Sequence, residues 1–373
     1  MIVIAGAGIG GLTLGCALAR AGQPFQIIER SERLRPAGAG IALSANALRA
    51  LSYIGLDDVV RAAGHELSVA AICDPHGRAI IETPVRAIVP GGTIALERER
   101  LHRALQQALG VPVSLGRAVS GYESLADEVR VYIDGGETIE ADLLIGADGL
   151  HSAVRRAMRG EEALRYSGQT SWRAIVDEVD LVESDRFTES WGAGERFGIV
   201  PLGGRRVYWF AVIDAPQGGR DVGDPRDALR ARFAGWHAPI DELLAATRPE
   251  AIIRTDIYDR QPINRWTDGR AALLGDAAHP MTPNVGMGGG QAIEDAVVLA
   301  EAIAGEATIE AALARYEAKR MARANSFVNR SYRVGQVAHL RARPLRWLRD
   351  RALQLIPTGI IARAMARDFD FQP

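Results

Sequence analysis

Ile2-Val3-Ile4-Ala5-Gly6-Ala7-Gly8-Ile9-Gly10-Gly11, at the start of the chain, decides how the rest is read. Four consecutive apolar residues without polar alternation predict a strand buried on both faces of a parallel sheet. That strand runs into a G-x-G-x-x-G loop. Gly6 permits the tight turn, Gly8 lets backbone approach a pyrophosphate, and Gly11 lets the next helix pack on the strand. Leu14, Leu18 and Ala21 then recur at helical spacing, Gly22 supplies the stop, and residues 24–29 (PFQIIE) read as a second strand. The unit is a β-α-β start with an anion site at the helix N-terminus. Glu29, 18 residues beyond Gly11, is placed to bind a ribose 2′-hydroxyl and to repel a 2′-phosphate, which favours FAD or NAD over NADP at this position.

Two further strands end in the same manner. Residues 143–146 (LLIG) deliver Asp148-Gly149 at a carboxyl end, where open α/β sheets bind ligands. Residues 271–274 (AALL) deliver Gly275-Asp276, and Pro283 leads into the glycine-rich 286–290 (GMGGG). Asp276 suits a ribityl or ribose hydroxyl, and bare backbone N–H groups over 286–290 suit an electron-rich ring edge. Residues 69–96 and 166–260 are mostly short strand-like runs, with a hairpin at Gly203-Gly204 and a short helix opened by Asp224-Pro225. The expected architecture is α/β. A Rossmann-like cofactor domain (1–68, 97–165 and 261–373) is interrupted by a mainly antiparallel substrate domain (69–96 and 166–260), and helices close the C-terminus.

Composition sets limits. A net charge of −2 gives no global field for nucleic acid or an anionic membrane. Two cysteines, Cys16 and Cys73, make neither a disulfide framework nor a metal cluster and point to a reducing compartment. No apolar run reaches the roughly 18 residues a membrane span requires, and the N-terminus lacks the positive flank of a signal peptide. A cytoplasmic monomer or homodimer is expected, with no integral membrane segment. H-E-x-x-H and Gly-x-Ser-x-Gly are both missing, so zinc-protease and serine-hydrolase chemistry have no motif. Glycine makes up about 11% of the chain against roughly 7% on average. The surplus falls largely in the three motifs and in a 36–41 loop containing Gly38 and Gly40.

In their order, the three motifs resemble the FAD-dependent aromatic hydroxylases, the p-hydroxybenzoate hydroxylase-like flavoprotein monooxygenases, over nearly the whole chain. Within that family the chain resembles urate hydroxylase-like members. The resemblance implies that Gly6, Gly8, Gly11 and Glu29, with Arg30 beside them, hold the ADP half of FAD. Asp148 and Gly149 then serve the pyrophosphate and a transient NADH or NADPH. Asp276, Gly286, Gly288 and Gly289 hold ribityl and flavin ring, with Pro283 beside the reacting flavin carbon. Arg98, in the Arg-x-x-Leu of 98–101, contacts the flavin side. Arg196 and Tyr208, 12 residues apart, match an arginine and a tyrosine of urate hydroxylase. An arginine there anchors an anionic or carbonyl-bearing ring, and a tyrosine exchanges a hydrogen bond with a substrate oxygen. Met287 departs from the glutamine that many relatives carry. The implied activity is hydroxylation of an activated aromatic or heteroaromatic small molecule with NAD(P)H and O2, through a flavin hydroperoxide. The flavin carries the difficult chemistry. Epoxidation or antibiotic modification with the same cofactor is the alternative within this class. An FAD-binding dehydrogenase or module without oxygen activation is the alternative outside it.

Three segments remain. His279 reads as a structural histidine bonding the loop backbone, since a general base must reach the substrate proton. Ser171-Trp172-Arg173-Ala174-Ile175-Val176 lacks the second tryptophan and the proline of the flavin halogenase signature. Between 330 and 351 seven arginines stand against one aspartate, and Leu345, Leu348, Ala352 and Leu355 follow at near-helical spacing. The expected reading is a basic-faced helix packed on the cofactor domain, with a membrane-surface or partner helix as the alternative.

Overall fold

The computed structural model describes residues 1–34, 39–179 and 185–373, so Gly38 lies outside the described residues. β1 (Ile2–Ala5) is buried throughout and pairs in parallel with β2 (Phe25–Glu29) on one side and Leu143–Gly146 on the other. Ala271–Leu273 continues the parallel pairing beyond Leu143–Gly146. The carboxyl ends leading to Gly6, Asp148 and Asp276 therefore lie side by side. Between β1 and β2 runs α1 (Ile9–Arg20). Gly6 takes φ +102°, and a Cβ there would sit 2.5 Å from the Ala147 carbonyl oxygen. A Cβ on Gly11 would collide with the Gly6 carbonyl, so α1 rests directly on the turn.

Among the described residues the second large sheet has seven strands. Its centre is β3 (Arg165–Val176), β4 (Arg186–Trp191), β5 (Glu195–Gly203) and β6 (Arg206–Asp214), in the spatial order β3-β6-β5-β4. Ile253–Asp259 flanks β3, and the hairpin of Val69–Cys73 and Ala79–Thr83 extends the sheet past β4. Thr93–Glu97 pairs elsewhere, with Gly40–Ser44 and His65–Glu66.

Strand alternation gives this sheet two different faces. Trp172, Phe197 and Trp209 on one face pack against Leu229 of α2 (Pro225–Arg232), Phe233 at its end, and Leu243 and Leu244 of α3 (Ile240–Ala246). The Phe197 and Trp209 rings stack with centroids 5.4 Å apart. Sequence reading foresaw α2 but not α3, whose seven residues carry too little periodicity to stand out. The opposite face looks toward the first sheet. Gly40 backs onto the Tyr208 ring, and Arg196 reaches Asn284.

α4 (Gly288–Gly305) and α5 (Ile309–Ala338) are joined by buried charge. Arg320 pairs with both Glu294 and Asp295, its Nε donating to Asp295 at 2.7 Å. Arg323 donates to Glu294 at 2.8 Å, and Asn46 donates to the same carboxylate at 2.6 Å. Asp295 also accepts the Gly275 N–H at 3.0 Å, so the cluster fixes the turn that presents Asp276. The chain closes with α6 (Arg343–Gln354) and α7 (Thr358–Phe369). Here the sequence expectation needs correction. α6 packs against Ala79–Thr83 at the edge of the second sheet, and its apolar stripe points to solvent. Its inward face is instead led by Arg349, which donates to the Ala338 carbonyl at 2.9 Å. Among the described residues no helix is long and apolar enough to cross a membrane.

Candidate active site

The crevice at the carboxyl ends of the first sheet is built from helix N-termini and unspent acids. α1 starts after Gly8 without a side-chain cap, and a Cβ on Gly8 would meet nothing within 4 Å. The first N–H groups of α1 thus face open space. Glu29 ends β2 and turns back on the loop, accepting the Ala7 and Ser31 N–H groups at 2.9 Å each. Burial pushes its pKa up, but those N–H groups, helped by Arg30, outweigh burial and hold it below the ordinary value. Asp148 Oδ2 accepts from Ala153 N–H at 2.7 Å and Val154 N–H at 3.3 Å, while its Oδ1 is buried without a partner. Burial raises this carboxyl above its usual range. Gly149 follows in a left-handed turn at φ +80°.

Asp276 stands exposed in the crevice and makes no hydrogen bond among the described residues. Surrounding protein raises its pKa, opposed by the charges of His279 and Arg98. Arg98 itself is exposed at the start of the Arg98–Leu109 helix. Pro283 lies exposed in the Pro283–Val285 turn, and Gly286 follows at φ +66° into the uncapped N-terminus of α4. Gly288 and Gly289 are half-buried there, and a Cβ on Gly289 would lie 2.8 Å from Ile41. Glycine density in this loop therefore serves protein packing as well as open backbone. Met287 is buried. His279 is also buried, with Nε2 2.5 Å from Asp295 Oδ2. It is structural, as expected, but its partner is a buried carboxylate rather than the loop backbone.

Two uncapped helix N-termini, a half-buried carboxylate on the glycine loop and a free acid beside bare backbone fit the phosphates, hydroxyls and ring edge of a flavin dinucleotide. The FAD binding domain family matches residues 1–331. The chain belongs to this family.

It is similar along its full length to the aurachin C monooxygenase/isomerase of Stigmatella aurantiaca, with 47% identity over 376 residues, 100% of this chain and 98% of the relative. It is 32% identical over 383 residues to the 2-heptyl-3-hydroxy-4(1H)-quinolone synthase of Pseudomonas aeruginosa, covering 99% and 97% of the two chains. Among solved structures, Klebsiella pneumoniae HpxO complexed with FAD and uric acid superposes with a TM-score of 0.91 at 30% identity, covering 99% of this chain and 96% of that one. The protein is an FAD-dependent monooxygenase that uses NAD(P)H and O2 to hydroxylate an activated aromatic or heteroaromatic small molecule. When bound, FAD supplies electron transfer from NAD(P)H to O2 and delivery of one oxygen atom to the ring.

On the second sheet of this monooxygenase, register settles what spacing could not. Arg196 lies opposite Val212 and Tyr208 opposite Val200. The two share a face but stand four residues apart along the strands, about 13 Å. Arg196 is only 2% exposed, and its Nη1 is 2.8 Å from Glu189. Its other arm holds Asn284, whose amide donates to Thr282 Oγ1 and the Ser331 carbonyl, each at 2.9 Å. That charge is spent inside the protein, clamping the sheet to the turn that carries Pro283. The Tyr208 hydroxyl has no hydrogen-bond partner among the described residues, and burial pushes its pKa up to about 12, so it stays a proton donor at neutral pH.

Arg173 is the residue that sequence reading passed over. It faces the crevice from β3, opposite Phe210 and one row from Tyr208. Partly buried, it makes no hydrogen bond or ion pair among the described residues. Burial lowers its pKa, and its charged neighbours there are Tyr208 and Arg98. Its signal in the sequence is a lone charge in the inward register between Trp172 and Ala174.

Proposed function

We propose that the substrate is a bicyclic heteroaromatic ring of the 4-quinolone type bearing an apolar chain, held on the Arg173–Tyr208 face. The observation that carries this reading is Arg173 itself, a partly desolvated cation without a protein partner, one row from a phenol that also lacks one. Two donors on one wall suit a single ring oxygen bearing partial or full negative charge. The guanidinium favours the deprotonated, enolate-like form of that oxygen, which enriches the neighbouring ring carbon for oxygen transfer. Ile175, Val200, Phe210 and Val212 share the face, matching an otherwise apolar ligand and keeping water out. The name of one relative, a 2-heptyl-3-hydroxy-4(1H)-quinolone synthase, supports the same class.

In this reading residues 1–68, 97–165 and 261–373 act as the cofactor unit and 69–96 and 166–260 as the substrate unit. Glu29 holds the adenosine ribose, with Arg30 at its edge. Gly6, Gly8 and Gly11 admit the pyrophosphate to the α1 N-terminus, flanked by Asp148, Gly149 and Arg98. Asp276 takes the ribityl chain, and Pro283, Gly286, Gly288 and Gly289 border the ring. Arg196 is a positioning residue that sets Asn284, and with it Pro283, against the substrate sheet. Titration of the flavin spectrum with 2-heptyl-4(1H)-quinolone, simple phenols and uric acid tests the assignment. The quinolone is expected to bind tightest to wild type and about ten-fold more weakly to Arg173→Met and Tyr208→Phe. Preference for uric acid, or full quinolone affinity in both variants, would overturn it.

A further inference from the structure

We propose that α6 and α7 form a peripheral docking surface for an anionic lipid bilayer. Leu345, Trp347, Leu348, Leu355 and Ile360 are 50, 62, 59, 79 and 56% exposed. Apolar side chains of this size and exposure, gathered within sixteen residues of sequence, are a patch rather than scattered surface residues. The patch is rigidly presented, because the underside of α6 is pinned. Arg349 is buried, donates to the Ala338 carbonyl at 2.9 Å and lies over the Trp191 ring at 5.1 Å.

Charge selects the occupant. From 341 to 367 there are seven arginines and one aspartate, in a chain whose net charge is −2. Arg349 pairs with Asp350 and Arg341 with Asp214, while Arg343, Arg351, Arg363 and Arg367 make no ion pair among the described residues. Leucines and a tryptophan interleaved with unpaired arginines match the boundary between acyl chains and anionic headgroups, where arginine stems lie along apolar surface and their heads reach phosphate. A second copy of this chain fits poorly, since a two-fold contact would set the same basic patch against itself.

The test is co-sedimentation of the FAD-loaded protein with phosphatidylcholine vesicles, with and without phosphatidylglycerol. Binding is expected with phosphatidylglycerol, at least about ten-fold weaker without it, and falling as NaCl rises. The double variant Leu348→Glu, Leu355→Glu is expected to lose about ten-fold or more in vesicle affinity while FAD content and melting temperature stay at the wild-type level. Brominated lipid should quench tryptophan emission in wild type and markedly less in Trp347→Phe. Equal binding to both vesicle types, unchanged binding by the double variant, or equal quenching in Trp347→Phe would overturn the proposal. So would sedimentation velocity showing a dimer that the double variant dissociates, since a second copy then covers the patch.

Discussion

At the scale of single residues, the useful contrast is between charges the fold completes and charges it leaves open. Arg196 has Glu189 and Asn284, whereas Arg173 has no partner. A cation held partly out of water without a partner weakens the fold, and a ligand is what relieves it. Arg173→Met is therefore expected to raise KM for the quinolone about ten-fold or more, while the melting temperature of the FAD-loaded protein holds or rises. Steady-state kinetics beside thermal melts checks this; a lower melting temperature with unchanged KM would make Arg173 a packing residue. Glu29 supplies the second case. Its pKa is held below the ordinary 4.5, so its stabilisation of the glycine loop is complete above that value and lost as pH falls through the lower folded value. Glu29→Ala is expected to weaken FAD retention about ten-fold near neutral pH and to remove the acid limb of flavin release, read by flavin fluorescence.

At the scale of elements, the α4–α5 charge cluster holds the crevice in shape. Arg320→Met would leave Glu294 and Asp295 buried without the counter-charge they share, an expected loss of about 3–5 kcal/mol by denaturant melts. FAD should be lost with it, because Asp295 also holds the Gly275 N–H. Burial works to raise the Asp295 carboxyl, but His279 and Arg320 overcome it and lower the pKa to about 2. That contribution is complete above the ordinary 3.8 and disappears as pH falls toward about 2. Elements differ in how far the sequence reveals them. β1, the glycine loop, α1 and β2 are legible because each depends on neighbours in sequence, and the 98–109 helix with Gly110 behind it is legible for the same reason. The pairing of Val69–Cys73 with β4 joins segments more than a hundred residues apart, and no local pattern encodes it. Arg320 is similar: on α5 it reads as one more surface arginine, and only the packing of α5 on α4 turns it inward. Arg173 shows its inward register in the strand alternation, but its lack of a partner is a property of the assembled sheet.

For the whole molecule, the proposed function depends on keeping the Arg173–Tyr208 face registered against the crevice of the first sheet. Clamps across that gap include Arg196 with Asn284, and His339 at the end of α5 with Asp214 of β6 at 2.6 Å. Arg196→Gln is expected to shift the balance toward NAD(P)H oxidation without product, measured as peroxide formed per NAD(P)H consumed, because a loosened gap admits water. A fully coupled Arg196→Gln enzyme would remove the clamp assignment. Oxygen transfer to an electron-rich heteroaromatic ring is tested by mass spectrometry of products formed under oxygen-18 gas. With NAD(P)H and 2-heptyl-4(1H)-quinolone, a ring-hydroxylated product carrying a single oxygen-18 atom is expected, formed in proportion to NAD(P)H consumed. NAD(P)H oxidation that yields only peroxide, with no oxygen-18 in any product from quinolones, phenols or purines, would contradict it.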